Sequence, residues 1–393
     1  MSRGERDFVK SSDAAPSTRE PARRAILVTT GTRGDAAPFV AYAKVLMAEG
    51  WDVVLLANSD HAGMAELHGV PFEAVSPPDW PQIGRDGKAF FRTQVIPAYD
   101  RVFRFIANEA RDRGRPHIFS RTGHWGAQFA AEALDVPFTR IALQPCAIRR
   151  YGHPIAFGDL AIINDWRETL GLNRLPFRGF LKERWQNTLS FFPQAYGEPQ
   201  SRWAQAGDCV GFHYLDDPAE PASDIRTFVE QGRPVVMSLG TGMQDTAVFL
   251  RIAENVAKRT DVPVLFLSPF VETEDTRQDG RLLCRKRVDH GYLLPHARLM
   301  IHNGGIGAVG QGLRAGIPQV IVPRLYDQPD NARRVLRIGA GVRILPPLFW
   351  KGPGLAVFEN RLIAQIEHLL GTSSTTTAHA SVLDSMSSQR DGA

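Results

Sequence analysis

The chain has 393 residues, a formal net charge of +4, 43% hydrophobic residues and 22% charged ones. That length exceeds one ordinary core, so the composition predicts a soluble globular protein of two domains. Positive charge is scattered, with short clusters such as Arg285-Lys286-Arg287 and no zinc-finger spacing, which excludes nucleic acid as the expected partner. In chain order, residues 1–24 are polar, lack the apolar centre of a signal peptide, and read as a disordered leader. Residues 25–29 form a strand of continuous apolar character, buried on both faces. A turn at 30–35 leads to a helix over 38–49, stopped at Gly50. A strand at 51–57, a helix at 62–67 and a further strand after Gly69 complete a repeating βαβ pattern. A long helix over 88–113, a strand at 117–120, a helix at 127–134 and a strand at 137–143 follow. Residues 145–200 are irregular and aromatic, and read either as a cover over the core or as an acceptor-binding wall. Residues 216–222 are polar and Pro-bearing, and Asp216 and Asp217 read as solvated. A second βα series has strands at 234–239, 262–267, 299–301, 319–322 and 341–344. The expected division is a domain over 25–215, a linker over 216–230, a domain over 231–370 and a disordered tail over 371–393. Cys146, Cys209 and Cys284 are sparse and odd in number, which fits a reducing cytoplasm and gives no metal site. No apolar run approaches the roughly 18 residues of a transmembrane helix.

Two turns carry the chemistry. The first is His302-Asn-Gly-Gly-Ile-Gly-Ala308, a strand end, a glycine turn and a helix start. Such a helix points bare N–H groups and its positive dipole end at a ligand. Gly304, Gly305 and Gly307 carry no Cβ, so a phosphate can approach the backbone there and at Ala308. His302 at the strand end is placed to donate to a phosphate oxygen. Asp327 and Gln328 follow the next strand at the same sheet edge, where a carboxylate and an amide suit sugar hydroxyls. The second turn is Gly31-Thr-Arg-Gly34-Asp35 after the first strand. Transfer to a hydroxyl needs a base, and Asp35 is the candidate in that turn. The alternative is that Asp35 caps the following helix, and the two roles are compatible. Arg33 either pairs with Asp35 or faces the donor phosphates.

In order and spacing these residues resemble the donor motif of glycosyltransferase family 1, the group with sterol glucosyltransferases, antibiotic glycosyltransferases and rhamnolipid-type rhamnosyltransferases. The resemblance covers residues 25–345. It implies an α/β fold of the GT-B kind, two Rossmann-like doubly wound domains facing across a cleft, with acceptor bound by the first and nucleotide sugar by the second. It implies inverting, metal-independent transfer of a hexose, a deoxyhexose such as rhamnose included, to a hydroxyl of a hydrophobic small molecule or lipid. No cofactor is expected beyond the nucleotide-diphosphate sugar as co-substrate. Ser238, Gly240 and Thr241 match a further phosphate contact, or cap the next helix; Gly34 lies on the donor side. Val288, within Arg287-Val288-Asp289, resembles the base-binding loop. Eight residues after the motif His the family often has a ribose-binding Glu; Gly310 stands there, which favours a dTDP-sugar over a UDP-sugar. There is no Asp-x-Asp pair to hold a metal. His124 and Trp125 are candidate acceptor contacts, and Trp166, Trp185, Phe191 and Phe192 line an acceptor cleft or fill the core. His153, His213 and His290 read as ordinary polar contacts. The expected location is cytoplasmic, with contact at an anionic membrane surface compatible with the charge. Two other readings compete, a glycosyltransferase-like activator subunit and a nucleotide-sugar 2-epimerase. A dinucleotide oxidoreductase lacks its fingerprint after the first strand.

Overall fold

The computed structural model describes residues 23–76, 87–147, 157–175, 187–197, 208–238, 240, 246–347 and 352–371. Nearly all of the expected leader, the tail beyond Gly371, Thr241, His153 and Trp185 lie outside these residues. The first half runs β1 (Arg24–Val28), α1 (Arg33–Ala48), β2 (Asp52–Asn58), α2 (Ala62–Leu67), β3 (Phe72–Ser76), α3 (Ile96–Arg113) and β4 (His117–Arg121). It continues with α4 (Trp125–Leu134), β5 (Phe138–Ala142), α5 (Phe157–Thr169), β6 (Thr188–Ser190), α6 (Gln194–Gly197) and β7 (Asp208–Cys209). The second half has α7 (Ser223–Gly232), β8 (Val235–Ser238), α8 (Thr246–Arg259), β9 (Val264–Leu267), β10 (Thr276–Arg277), β11 (Leu282–Arg285) and β12 (Leu299–His302). It ends with α9 (Ile306–Ala315), β13 (Gln319–Ile321), α10 (Gln328–Arg337), β14 (Gly341–Arg343) and α11 (Pro353–Gly371).

Each half builds one seven-stranded sheet, in the orders β3-β2-β1-β4-β5-β6-β7 and β10-β11-β9-β8-β12-β13-β14. Every pairing is parallel except β10 with β11. The strand order reverses beside β1 in one sheet and beside β8 in the other. Turns leaving the carboxyl ends of strands at such a reversal open a crevice for ligands. Both turns singled out above lie on those edges, after β1 and after β12. Among the described residues no helix is long and apolar enough to cross a membrane.

Several elements differ from the sequence reading. Helix α1 begins at Arg33, not at Pro38, because Thr32 is its N-cap and Asp35 folds back onto the Thr32 backbone N–H. Pro38 then sits inside the helix. The expected 88–113 helix contains a π turn at Phe91–Val95, just before Pro97, which cannot donate to the turn behind it. The irregular stretch contributes β6 and α6. The antiparallel hairpin β10–β11 was unforeseen; Gln278, Asp279 and Gly280 close it with positive φ.

The described part of the aromatic stretch covers the core. Trp166 packs with Tyr99, Trp125 and Phe129, and Phe191 and Phe192 are also buried. Arg167, 1% exposed, is held by a bidentate pair with Glu132 at 2.7 and 2.8 Å. Helices α3 and α4 pack so closely that a Cβ on Gly126 would lie 2.3 Å from the Tyr99 carbonyl oxygen. Gly126→Ala should therefore force α4 off α3 and destabilise the protein by roughly 1–3 kcal/mol. A thermal melt of the variant that matches wild type would contradict this packing.

Candidate active site

The turn after β1 is built from both ends. Gly31 has φ +133°, and its N–H donates to Asn58 Oδ1 at 3.0 Å. His61 Nε2 lies 2.9 Å from the Gly31 carbonyl. A Cβ on Gly31 would stand 2.5 Å from Asp35 Oδ2, so glycine is what lets the Asp35 side chain fold over the turn. Asp35 Oδ2 accepts from the Thr32 N–H at 2.9 Å and from Thr32 Oγ1 at 3.1 Å. Its Oδ1 accepts from Arg121 Nη1 at 2.8 Å. A carboxylate has about four lone-pair sites, so these three bonds leave Oδ1 able to accept one more. Capping and a chemical role thus coexist in one side chain.

Arg121, at the end of β4, escaped the sequence reading, as did Asn58 and His61. Arg33 is not the partner of Asp35. It is half-buried, and burial, then the nearby Arg287 charge, lowers its pKa, while Asp217 and Asp289 oppose the shift. Arg33 therefore reaches the Arg287–Asp289 loop of the second domain.

The glycine turn after β12 departs from expectation at its histidine. His302 is 1% exposed, and both ring nitrogens are engaged within the protein. Nδ1 accepts from the Gly304 N–H at 3.1 Å, so Nε2 carries the proton and donates to Gln319 Oε1 at 2.9 Å. Burial pushes the ring pKa down to about 4, and the nearby His290 lowers it further while the Gln319 bond opposes. The expected donation from His302 to a phosphate is thus corrected: its ring is neutral and shapes the turn. Room for Gln319 comes from Gly312 on α9, where a Cβ would meet the Gln319 side chain at 2.6 Å. Gly304 has φ +89°, and a Cβ there would strike Ile321 at 2.7 Å. Gly305 is the N-cap of α9 with no side-chain cap bond, and Gly307 is exposed. The backbone amides of Gly307 and Ala308, together with the dipole of α9, are suited to an anion.

Asp327 lies at that same helix start. Its carboxylate accepts from Asn331 Nδ2 at 2.7 Å and from the Ile306 N–H. Burial pushes its pKa up to about 6, against those bonds, and the charge of Asp35 raises it further. The two aspartates, from different domains, are therefore close enough to interact. Ile306 supports this arrangement by packing on the core beside α1. Gln328 Oε1 accepts from the Arg324 and Leu325 N–H groups at 2.9 and 3.2 Å, so its amide NH2 is what it presents to a ligand.

Ser238 is buried and paired in register with His302, and Gly240, with φ +65°, is exposed beside Asn303. Four expectations are corrected. His124 is 2% exposed and its Nδ1 caps α4 by accepting from the Ala127 N–H at 3.4 Å. Trp125 is buried in the aromatic cluster with Tyr99 and Phe129, so neither residue is an acceptor contact. Val288 is buried among Leu293, Leu294 and Met300, so it offers no side chain to a base. Asp216 and Asp217 are paired, with Arg314 at 2.6 Å and with Arg287 at 3.1 Å. The absent carboxylate at Gly310 also has a packing cause. A Cβ there would lie 3.2 Å from the Phe212 ring, and Tyr214 Oη donates to the Gly310 carbonyl at 3.1 Å.

With this geometry in hand, similarity to known proteins is specific. Residues 25–112 match the glycosyltransferase family 28 N-terminal domain, and residues 279–389 match the erythromycin biosynthesis protein CIII-like C-terminal domain. A sterol 3-beta-glucosyltransferase of Saccharomyces cerevisiae (strain YJM789) is 25% identical over 392 residues. The match takes in 81% of this chain but 31% of that relative, so the chain corresponds to about a third of the longer protein. The calicheamicin glycosyltransferase CalG4 shares the fold with TM-score 0.73 at 16% identity, covering 94% of this chain and 95% of that one. The glycosyltransferase VinC in complex with dTDP gives TM-score 0.68 at 19% identity, covering 93% and 96%. The chain has the GT-B fold of these glycosyltransferases.

The Asp327 titration has a direct consequence. A sugar hydroxyl would donate to the ionised carboxylate, and the free protein must release a proton to present it below about pH 6. Affinity for a nucleotide sugar should therefore fall as pH drops through that value, by at most about tenfold per unit. Asp327→Asn should bind weakly with no such slope. Binding isotherms from pH 5 to 8 that are equally sloped in both proteins would refute the assignment.

Proposed function

We propose that this chain transfers a hexose from a nucleotide-diphosphate sugar to a hydroxyl of an apolar acceptor, with inversion at the anomeric carbon. One observation carries the reading: the bare amides of α9 and the Asp327 carboxylate lie in one domain, within electrostatic reach of Asp35 in the other. In this scheme the diphosphate sits on the Gly307 and Ala308 N–H groups, with the hexose against Asp327 and the Gln328 amide. The acceptor hydroxyl donates to the remaining lone pair of Asp35 Oδ1. As its oxygen bonds to C1, the proton passes to Asp35 and the bond from C1 to the phosphate oxygen breaks. The departing diphosphate gains negative charge, and amides already aimed at it stabilise that charge without reorganisation. Backbone amides and the helix dipole supply this stabilisation, so the scheme requires no divalent cation.

The preferred donor is a dTDP-sugar. Support comes from the dTDP bound by the structurally similar VinC, in place of the Gly310 argument, since packing against Phe212 accounts for that glycine. The acceptor is a sterol-like or polycyclic apolar alcohol, as the sterol glucosyltransferases and CalG4 suggest by analogy. Rhamnose remains within the class of sugars proposed.

Titration calorimetry with dTDP and UDP should give tighter binding of dTDP; the reverse order would remove the donor preference. Asp35→Asn should keep nucleotide affinity while turnover of an accepted sterol or polyketide alcohol falls by about 100-fold or more. Turnover within a few-fold of wild type would eliminate Asp35 as the base.

A further inference from the structure

Three side chains, one in α6 and two at the start of α10, form a chain of hydrogen bonds across the domain boundary. Tyr196 Oη, in α6, donates to Asn331 Oδ1, in α10, at 2.9 Å. Asn331 Nδ2 donates to the Gly304 carbonyl at 2.9 Å and to Asp327 Oδ2 at 2.7 Å. Tyr196 and Asn331 are both 0% exposed. The chain therefore starts in the first domain and ends on the carboxylate proposed to read the sugar, with a branch to the first glycine of the phosphate turn.

The amide of Asn331 is asymmetric, and the hydroxyl of Tyr196 fixes its sense. A hydroxyl donating to Oδ1 turns the NH2 group towards two acceptors, the Gly304 carbonyl and the Asp327 carboxylate. Asp327 has other anchors, the Ile306 N–H among them. Those hold it at the helix start, and the Asn331 bond adds a contact to its Oδ2.

Docking of α6 on α10 does not depend on the hydroxyl. The Tyr196 carbonyl accepts from Arg334 Nη1 and from Arg337 Nη2, each at 3.2 Å, and the Gly197 carbonyl accepts from Arg334 as well. The Tyr196 ring also packs with Phe192, Val309, Leu313 and Val335. Removing the hydroxyl alone leaves these contacts in place.

We infer that the Tyr196 hydroxyl is a positioning group for the donor sugar, acting through Asn331 on the Asp327 carboxylate. The first domain thereby takes part in choosing the sugar as well as in holding the acceptor. This rests on the reading of Asp327 as the hexose contact.

The test compares Tyr196→Phe with wild type, using dTDP and dTDP-glucose, and UDP with UDP-glucose as a second pair. Calorimetry should give dTDP affinity within about twofold of wild type. The dissociation constant for dTDP-glucose should rise about fivefold, as for one lost buried hydrogen bond. Asn331→Ser cuts the same chain from the other side and should give the same split. It also serves if the Phe variant does not fold. Adding Tyr196→Phe to Asn331→Ser should weaken sugar binding no further, because both changes break one chain. Equal weakening of dTDP and dTDP-glucose, or no change in either, overturns the inference while leaving the proposed function standing. Failure of wild type to bind any of the four ligands removes the proposed function, and the inference with it.

Discussion

The two domains are joined by an apolar weld, and the geometry of the site depends on it. Ala142, Phe192 and Tyr196 of the first half pack with Val309, Leu313, Ile321, Ala332, Val335 and Ala340 of the second. Burial of a side chain such as Phe192, Leu313 or Val335 is worth roughly 1.5–3 kcal/mol each. A single buried hydrogen bond contributes about 1 kcal/mol. The weld is therefore held by apolar area, and the polar bonds at its edge set orientation more than strength. The segment after β7 extends the weld along α9 through Phe212, Tyr214 and the Asp216–Arg314 pair; Arg314 also stacks on Tyr214 at 4.8 Å. With α9 fixed in this way, its amino end meets the amino end of α1, and Asp327 comes within reach of Asp35.

Two aspartates that face each other need different surroundings if they are to do different work. Asp35 is partly exposed and accepts from Arg121 and from both donors of Thr32. Asp327 is bonded by the Asn331 amide and by backbone N–H groups, its own and that of Ile306, and burial dominates its titration. The first arrangement suits a group that takes a proton from a hydroxyl. The second suits a group that orients hydroxyls without attacking them. The same contrast separates the two glycine turns. At Gly31 the missing Cβ makes room for a side chain of the protein, and at Gly307 the exposed backbone is left for a ligand.

What could be read from the sequence was local. The strand–glycine–helix order at 302–308 depends on neighbours only, and β12, the glycine turn and α9 follow it. The two parallel sheets followed from apolar runs separated by helical periods. What could not be read was pairing at long range. A ring at a strand end is reachable, so the sequence alone points to His302 as a ligand contact. Its burial against Gln319 depends on β13 lying beside β12 and on Gly312 clearing space. Arg121 and Asp35 are brought together only by the pairing of β4 with β1. Tyr196 stood in a stretch without periodicity, and nothing nearby pointed to Asn331. His124 and Trp125 followed a strand as site residues do, but the close crossing of α3 and α4 placed them inside the fold.

Gly310 shows how a family position can carry a different cause. The missing carboxylate was first explained by the ligand, since a deoxyribose has no 2′-hydroxyl to bind. The structure explains it by the protein, because Phe212 lies where a side chain would project. Both causes leave a glycine at 310, so its identity alone does not discriminate between nucleotides. The groups able to do so are those near Arg287 and Asp289, and Arg33 reaches that loop from the opposite domain. Arg33 and that loop come from opposite domains, so the same docking that brings Asp327 near Asp35 also brings them together.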